Sequence, residues 1–299
     1  MPLGAALLLG PAGCRGAAAV APPTSAGPGA GEIVYERTLG DHAGLYLVPA
    51  GGGVERPLLL PPGDDTLPRW TPDGRAVLFT SERSGRPQLW EVPAGGGEPR
   101  RVRSNAHTES QADPSPDGKR IAFLSDADGS QCLWILERAT GEARVLVRHG
   151  KDSILGNPHW SPDGGRIVFS SNVHIGHQIY LVVVATGEVR RLSGLTSGGC
   201  EPRFSRDGGK VVYVSRGHRR PTSRLVEHDL ARGEERALVD WPALNYDPVY
   251  SPDGAEIAFA SNITGEWVVY RQALADGRSW RVTFGPGAAR SPDYRPALP

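Results

Sequence analysis

The phrase NPHWSPDGGRIVFSSN, residues 157–172, returns along the chain with small changes, and its spacing constrains the fold more than any other feature. TPDGRAVLFTSE begins at Thr71, SPDGKRIAFLSD at Ser115, SRDGGKVVYVSR at Ser205 and SPDGAEIAFASN at Ser251. The aspartates of these turns, Asp73, Asp117, Asp163, Asp207 and Asp253, lie 44, 46, 44 and 46 residues apart. A unit of this length holding four strand-like segments is the signature of a propeller blade.

Each copy reads alike. A short strand ends in an aromatic residue (Trp70, Trp160, Phe204, Tyr250), and S-P-D-G then reverses the chain. Proline presets φ at the second turn position, and glycine takes the left-handed conformation. A second strand rich in β-branched and aromatic residues follows, as in AVLFTS (76–81), RIVFSS (166–171) and EIAFAS (256–261). A polar loop leads to a third strand such as QLWEV (88–92) or QIYLVVV (178–184). Hairpins of the ATGE type (139–142 and 185–188) introduce a fourth. A sheet with two apolar faces must be covered on both, so such blades stack radially.

The chain ends set the count. GEIVYER (31–37) aligns with a second strand, because Ile33, Val77 and Ile121 follow one another at intervals of 44. The first blade therefore lacks its first strand. SPDY (291–294) matches DPVY (247–250), a first strand without a blade. The expected fold is all-β: a six-bladed propeller over residues 31–299, closed when the C-terminal strand completes the first blade and removes the open sheet edges. In the third unit Pro114 occupies the aromatic slot, so that blade is expected to pack less tightly at its inner edge.

The phrase xPxWSPDGxxIAFxS…QIYxxxxxxGExxRLT resembles the WD40-like repeat of the TolB propeller family, whose members serve the Tol–Pal system of the bacterial envelope. Five full copies and one split copy carry the resemblance. It implies the propeller fold and, as function, an envelope binding platform. The same repeat also serves scaffolds, peptidase-attached propellers and lyases. TolB proteins carry an α/β domain before the propeller, whereas here residues 1–30 precede it, so the propeller alone is expected.

Residues 1–30 open on the apolar run LGAALLLGPAGC (3–14), which resembles the back half of a secretory signal. Gly13-Cys14 resembles a lipoprotein cleavage site with Cys14 as the lipidated residue, although no Lys or Arg precedes the run. Export to the periplasm or attachment to the outer envelope is the expectation, with any membrane contact confined to that anchor. Lys plus Arg and Asp plus Glu each total 33, giving no electrostatic reason to expect nucleic acid. Cys132 and Cys200 fall in different units and form no CxxC, so neither a disulfide nor a zinc site is expected.

Chemistry is sparse. The repeated aspartate of SPDG belongs to the turn rather than to a set of catalytic carboxylates. HIGH (174–177) gives His174 and His177 a metal-like spacing but lacks a further ligand. DADGS (126–130) departs from a calcium loop in its glycine position and its missing final glutamate, and Asn262-Ile263-Thr264 is a sequon in a hairpin. No GxSxG, HExxH or phosphate-binding glycine loop occurs.

What remains is a surface. The loops between second and third strands share a rim with those joining blades. That rim gathers His42, His107, Lys151, Asp152, His174, His177, RGHRR (216–220) and WPALNY (241–246). Binding is expected there, through His174, His177, Arg219, Arg220, Trp241 and Tyr246, with aromatic and arginine anchors. The opposite rim carries nearly uniform turns. A second candidate is the position before each inner-strand aromatic: Arg69, Asp113, His159, Arg203, Val249 and Asp293, either a mixed-charge ring in the central channel or residues buried between blades. The expectation is a monomeric, non-catalytic platform without a cofactor that engages an envelope protein or a small ligand across one rim and the channel mouth. A metal-dependent polysaccharide lyase or hydrolase using the rim histidines is the alternative.

Overall fold

A computed structural model of the chain describes residues 31–60, 63–174, 176–194, 198–216 and 221–297. Blade 1 holds β1 (Glu32–Leu39), β2 (His42–Pro49) and β3 (Arg56–Leu59); blade 2 holds β4 (Asp65–Trp70), β5 (Ala76–Ser81), β6 (Gln88–Pro93) and β7 (Arg100–Arg101). Blade 3 holds β8 (Glu109–Pro114), β9 (Arg120–Ser125), β10 (Cys132–Glu137) and β11 (Ala143–Val147). Blade 4 holds β12 (Leu155–Trp160), β13 (Arg166–Ser171), β14 (Gln178–Val183) and β15 (Val189–Arg191). Blade 5 holds β16 (Gly199–Phe204), β17 (Lys210–Ser215), β18 (Arg224–Asp229) and β19 (Glu235–Val239). Blade 6 holds β20 (Asn245–Tyr250), β21 (Glu256–Ser261), β22 (Val268–Ala273) and β23 (Ser279–Arg281). The last strand, β24 (Ala288–Tyr294), returns to blade 1, whose order is β24-β1-β2-β3.

The result is a ring of six four-stranded antiparallel sheets. Ile33 pairs with Tyr294 and Val34 with Asp293, so the last strand is the inner member of the first blade, as the sequence ends imply. The second strands are buried on both faces: Ile167, Val168 and Phe169 are each fully inaccessible. That is why these strands read as unbroken apolar runs instead of alternating. Apolar clusters fill the seams between blades, for example Trp70 against Val34, Leu45 and Leu58, or Trp160 against Ala122, Leu124 and Leu133. Burying such side chains is the main driving force for stacking, at roughly 1.5–3 kcal/mol each.

The SPDG turns close as expected. The Gly74 amide donates to the Thr71 carbonyl at 2.8 Å, and Gly74 has φ of 63°. Inside the turn, the Thr71 hydroxyl donates to Asp73 Oδ1 at 2.6 Å and the Arg75 amide donates to the same oxygen at 3.1 Å. The same bonds recur at Asp117 and Asp207, so these carboxylates are occupied by their own turns. Ser or Thr hydroxyl donation holds all five well below the usual carboxylate range.

The inner strands hold a feature that no residue type announces. Leu67, Gln111, Asn157, Glu201, Asp247 and Ser291 occupy one register position and have φ between 51° and 57°. They are the non-glycine residues with positive φ among the described residues, a conformation that costs on the order of 1 kcal/mol or more each. Each marks a register shift against the second strand of its blade, a β-bulge. A bulge frees a backbone N–H from the ladder, and the preceding blade takes it. The Leu67 amide donates to Glu36 (2.9 Å), Gln111 to Thr80 (3.0 Å), Asn157 to Gln111 (2.5 Å), Asp247 to Glu201 (2.6 Å) and Ser291 to Asp247 (3.1 Å).

Closure is the testable part of this architecture. Tyr294 is buried in the seam between blades 6 and 1, and its hydroxyl has no hydrogen-bond partner among the described residues. Tyr294→Ala is expected to lower unfolding free energy by about 3–5 kcal/mol, and Tyr294→Phe to leave it essentially unchanged. Urea denaturation of the two variants checks this.

Candidate functional site

The inner strands converge on a funnel of about 370 Å³ lined by residues from all six blades. Its mouth is set by Pro72, Pro116, Pro162, Pro252 and Pro296, and its wall by Trp70, Trp160, Phe204, Tyr250 and Tyr294. The floor is the ring foreseen from the repeat register: Asp293, Arg69, Asp113, His159, Arg203 and Val249, in order from blade 1 to blade 6. A void of only about 10 Å³ continues inward between Arg69, Arg203 and the bulge residues Leu67, Gln111 and Asn157. Side chains at the bulge thus line the space beneath the floor. The wide mouth opens among the SPDG turns, not on the rim where the unusual loop residues gather. The rim read from the sequence as nearly uniform turns thus also carries the opening of the funnel.

The two readings of the floor ring, channel lining and burial between blades, hold together. Arg69, Asp113 and Arg203 are only 7%, 5% and 5% exposed yet all face the funnel. The acceptors in the ring also tie each blade to the next. Asp293 accepts the Trp70 amide (2.8 Å), Asp113 the Trp160 amide (2.9 Å) and His159 Nδ1 the Phe204 amide (3.1 Å). Pro114 has no N–H, and the ring residue before it, Arg69, is a donor that could not have accepted one. Pro114 itself is half-buried and lies outside the apolar cluster between blades 2 and 3, whereas Trp70, Trp160 and Phe204 are each 3% exposed.

Burial decides the protonation of this ring. It pushes the Asp113 carboxyl up to about 7 against the pull of the Trp160 amide and Arg69, and the Asp293 carboxyl up to about 6. Burial, helped by Arg69 and Arg206, pushes His159 down to about 3. His159 is therefore a neutral imidazole, and since Nδ1 accepts from Phe204 its proton resides on Nε2. Below the floor, burial and then Asp247 raise Glu201 to about 8, while Arg290 pairs with Asp247 at 2.7 Å.

The loop rim is divided. His174 is exposed, with Nδ1 3.0 Å from the Tyr180 hydroxyl, and the ring of His149 packs on the same tyrosine at 5.3 Å. His149, in the loop between blades 3 and 4, is a neighbour that sequence spacing alone did not single out. His177 is separate from this pair; burial and the charge of Arg216 lower its pKa. Arg216 and Arg290 lie over the Tyr246 ring at 5.8 and 5.2 Å, and Trp267 meets that ring edge-on at 5.7 Å. Trp241 is only 8% exposed, held edge-on against Phe259 and Tyr270 at 5.1 Å each, so it sits in the blade 6 core instead of on the rim. Arg219, Arg220 and Cys14 lie outside the described residues.

Other sequence candidates have local partners. Asp126 Oδ1 accepts the Thr108 amide at 2.9 Å while Asp128 pairs with Arg148, so DADGS is a turn with its acids used separately. Asn262 Oδ1 accepts the Leu244 amide at 2.8 Å. Cys132 and Cys200 are free thiols. Among the described residues, no three His, Cys, Asp or Glu side chains gather as a metal ion would require.

These features define a closed six-bladed β-propeller whose axial funnel is open at the turn end. Sequence comparison agrees: the profile of the TolB beta propeller domain matches residues 15–154 and 110–240, and the chain belongs to that family. It is 53% identical over 47 residues to the Tol-Pal system protein TolB of Bordetella pertussis, a match covering 15% of this chain and 11% of that protein. With the Rickettsia massiliae TolB it shares 38% over 63 residues, 20% of this chain and 14% of that one. The matched stretches thus span a small part of these relatives. Among solved structures, TolB from Acinetobacter baumannii superposes with a TM-score of 0.78 at 21% identity, covering 89% of this chain and 67% of that one. An oligogalacturonate lyase in complex with manganese superposes at 0.60 with 17% identity, covering 85% and 74%. At such identities the likeness is one of fold.

The floor ring makes opposing contributions to stability with pH. His159, lowered in the folded state, stabilises above the unfolded value near 6.5, and this is lost as pH falls towards 3. Asp113 and Asp293, raised in the folded state, stabilise at low pH, and this is lost as pH rises from about 4 to about 7. Asp113→Asn keeps an acceptor for Trp160 and removes the buried charge. It is expected to be more stable than wild type at pH 8 by on the order of 2–4 kcal/mol, with the difference shrinking towards pH 4. Urea midpoints measured across that range check the sign.

Proposed function

We propose that this chain is a non-catalytic binding platform of the bacterial envelope, TolB-like, which engages a protein partner at the funnel on its turn face. The observation that carries the reading is the funnel itself: a concave site built by every blade, with rigid proline and aromatic walls over a charged floor. Closure of the ring fixes those walls before any partner arrives, which lowers the ordering cost of association. The Tol–Pal names of the relatives support the envelope setting and a protein as the partner. The loop rim, with His174, His177 and the Tyr246, Trp267 and Arg216 group, offers a second and shallower face.

Pro116 and Pro162 are exposed at the mouth. Pro116→Glu with Pro162→Glu is expected to abolish capture of a partner from envelope extract while lowering stability by only about 1–2 kcal/mol, the loss of two turn prolines, which leaves the ring folded. Tyr246→Ala with Arg216→Ala is expected to retain capture. The reverse pattern would move the site to the loop rim. An enzymatic reading keeps one observation, the approach of His149 and His174 to Tyr180. Stoichiometric manganese lost on substituting both histidines would establish that alternative.

A further inference from the structure

The charge pattern around the floor ring is uneven. Going round the axis, Arg69 stands between Asp293 and Asp113, both of which feel its charge. Arg203, on the opposite blade, stands between neutral His159 and Val249. It is 5% exposed, it lines both the funnel and the void beneath, and its Nη1 has no hydrogen-bond partner among the described residues. One half of the ring thus balances its cation with two acids, and the other half holds a buried guanidinium that forms no ion pair among the described residues. A buried cation in that state is costly, and the low-dielectric surroundings that make it so strengthen its contact with an incoming anion.

We propose that the funnel floor is an anion site in which Arg203 takes a carboxylate group, either a free small carboxylate or the carboxylate of an extended peptide. The planar guanidinium matches a carboxylate in two parallel hydrogen bonds. His159 offers its Nε2–H as a further donor from the neighbouring blade, its Nδ1 being held by the Phe204 amide. The five prolines of the mouth have no backbone N–H to offer, and Arg206 at the corresponding position of blade 5 adds a second cation, its Nε donating to the Pro252 carbonyl at 2.9 Å, so floor and mouth both favour an anion while the aromatic walls suit an apolar stem. The volume of about 370 Å³ accommodates a short segment ending in such a group. This rests on the funnel being the face that binds, and it adds the chemistry that is recognised there.

The test uses the full chain in low-chloride buffer and small probes, so its outcome is independent of partner capture. Acetyl-tri-alanine with a free C-terminal carboxylate, its C-terminal amide, acetate and inorganic phosphate are each titrated by calorimetry. Wild type is expected to bind the acid at least about tenfold more tightly than the amide, a difference of about 1.4 kcal/mol. Arg203→Gln is expected to bind acid and amide equally, with a melting temperature in ligand-free buffer no lower than wild type. Arg203→Lys, which keeps the charge but loses the two-pronged geometry, is expected to bind the acid several-fold more weakly than wild type and still prefer it to the amide. This variant decides the matter should the glutamine variant not fold. Acetate competing with the acid peptide identifies a small carboxylate as sufficient, and binding of the peptide alone identifies a chain terminus; either supports the proposal. Equal affinity of wild type for acid and amide, an acid preference that survives in Arg203→Gln, or binding of phosphate without carboxylate would overturn it.

Discussion

The structure depends on a bond that crosses from one blade to the next. In every inner strand the backbone turns to positive φ at one residue, which takes that residue's N–H out of its own sheet. The strain is tolerable because a side chain of the preceding blade accepts the freed hydrogen in five of the six seams. Two residues further along the chain, Asp293, Asp113 and His159 repeat the device by accepting the amide that precedes each next turn. Apolar burial pulls the blades together, and these polar ties fix their angular register.

The same geometry produces the site. The bulge residues Leu67, Gln111 and Asn157 line a small void beneath the floor, and the funnel opens at the turn end. The ring residues then face a funnel without leaving their seams. Buried acids and a buried histidine follow from this double duty, since a group that accepts a backbone N–H between two sheets has little water around it. Arg69 and Pro114 show one way in which the ring departs from this pattern. Where the next blade offers Pro114 and so no N–H, Arg69 stands between the acids on either side; Arg203 and Val249 likewise offer no acceptor to the amides of Tyr250 and Tyr294.

Much of the fold was legible because the repeat is written in local chemistry. The turn sequence announces itself in four residues, the second strands read as apolar runs, and the alignment of Ile33 with Val77 and of Tyr294 with Tyr250 counts the blades and closes them. The floor ring was legible too, as a register position, though its charges and their pKa shifts required knowing who stands beside whom. The bulge was not: Leu, Gln, Asn, Glu, Asp and Ser share no preference that signals positive φ, and the bonds that permit it come mostly from residues more than 30 positions away. Trp241 and His149 show the same limit. An aromatic residue in a polar loop reads as a surface anchor until its own blade is seen to fold over it, and a lone histidine gains interest only when Tyr180 and His174 arrive from another loop.

Hydrogen exchange at the bulge amides tests the central claim most directly. If ties between blades hold the ring as one unit, the amides of Leu67, Asn157, Asp247 and Ser291 exchange as slowly as those of the fully buried second strands. Their rates would then fall on the same denaturant dependence. Fast exchange at these amides, with the second strands still protected, would show that each blade stands on its own ladder and would contradict the account.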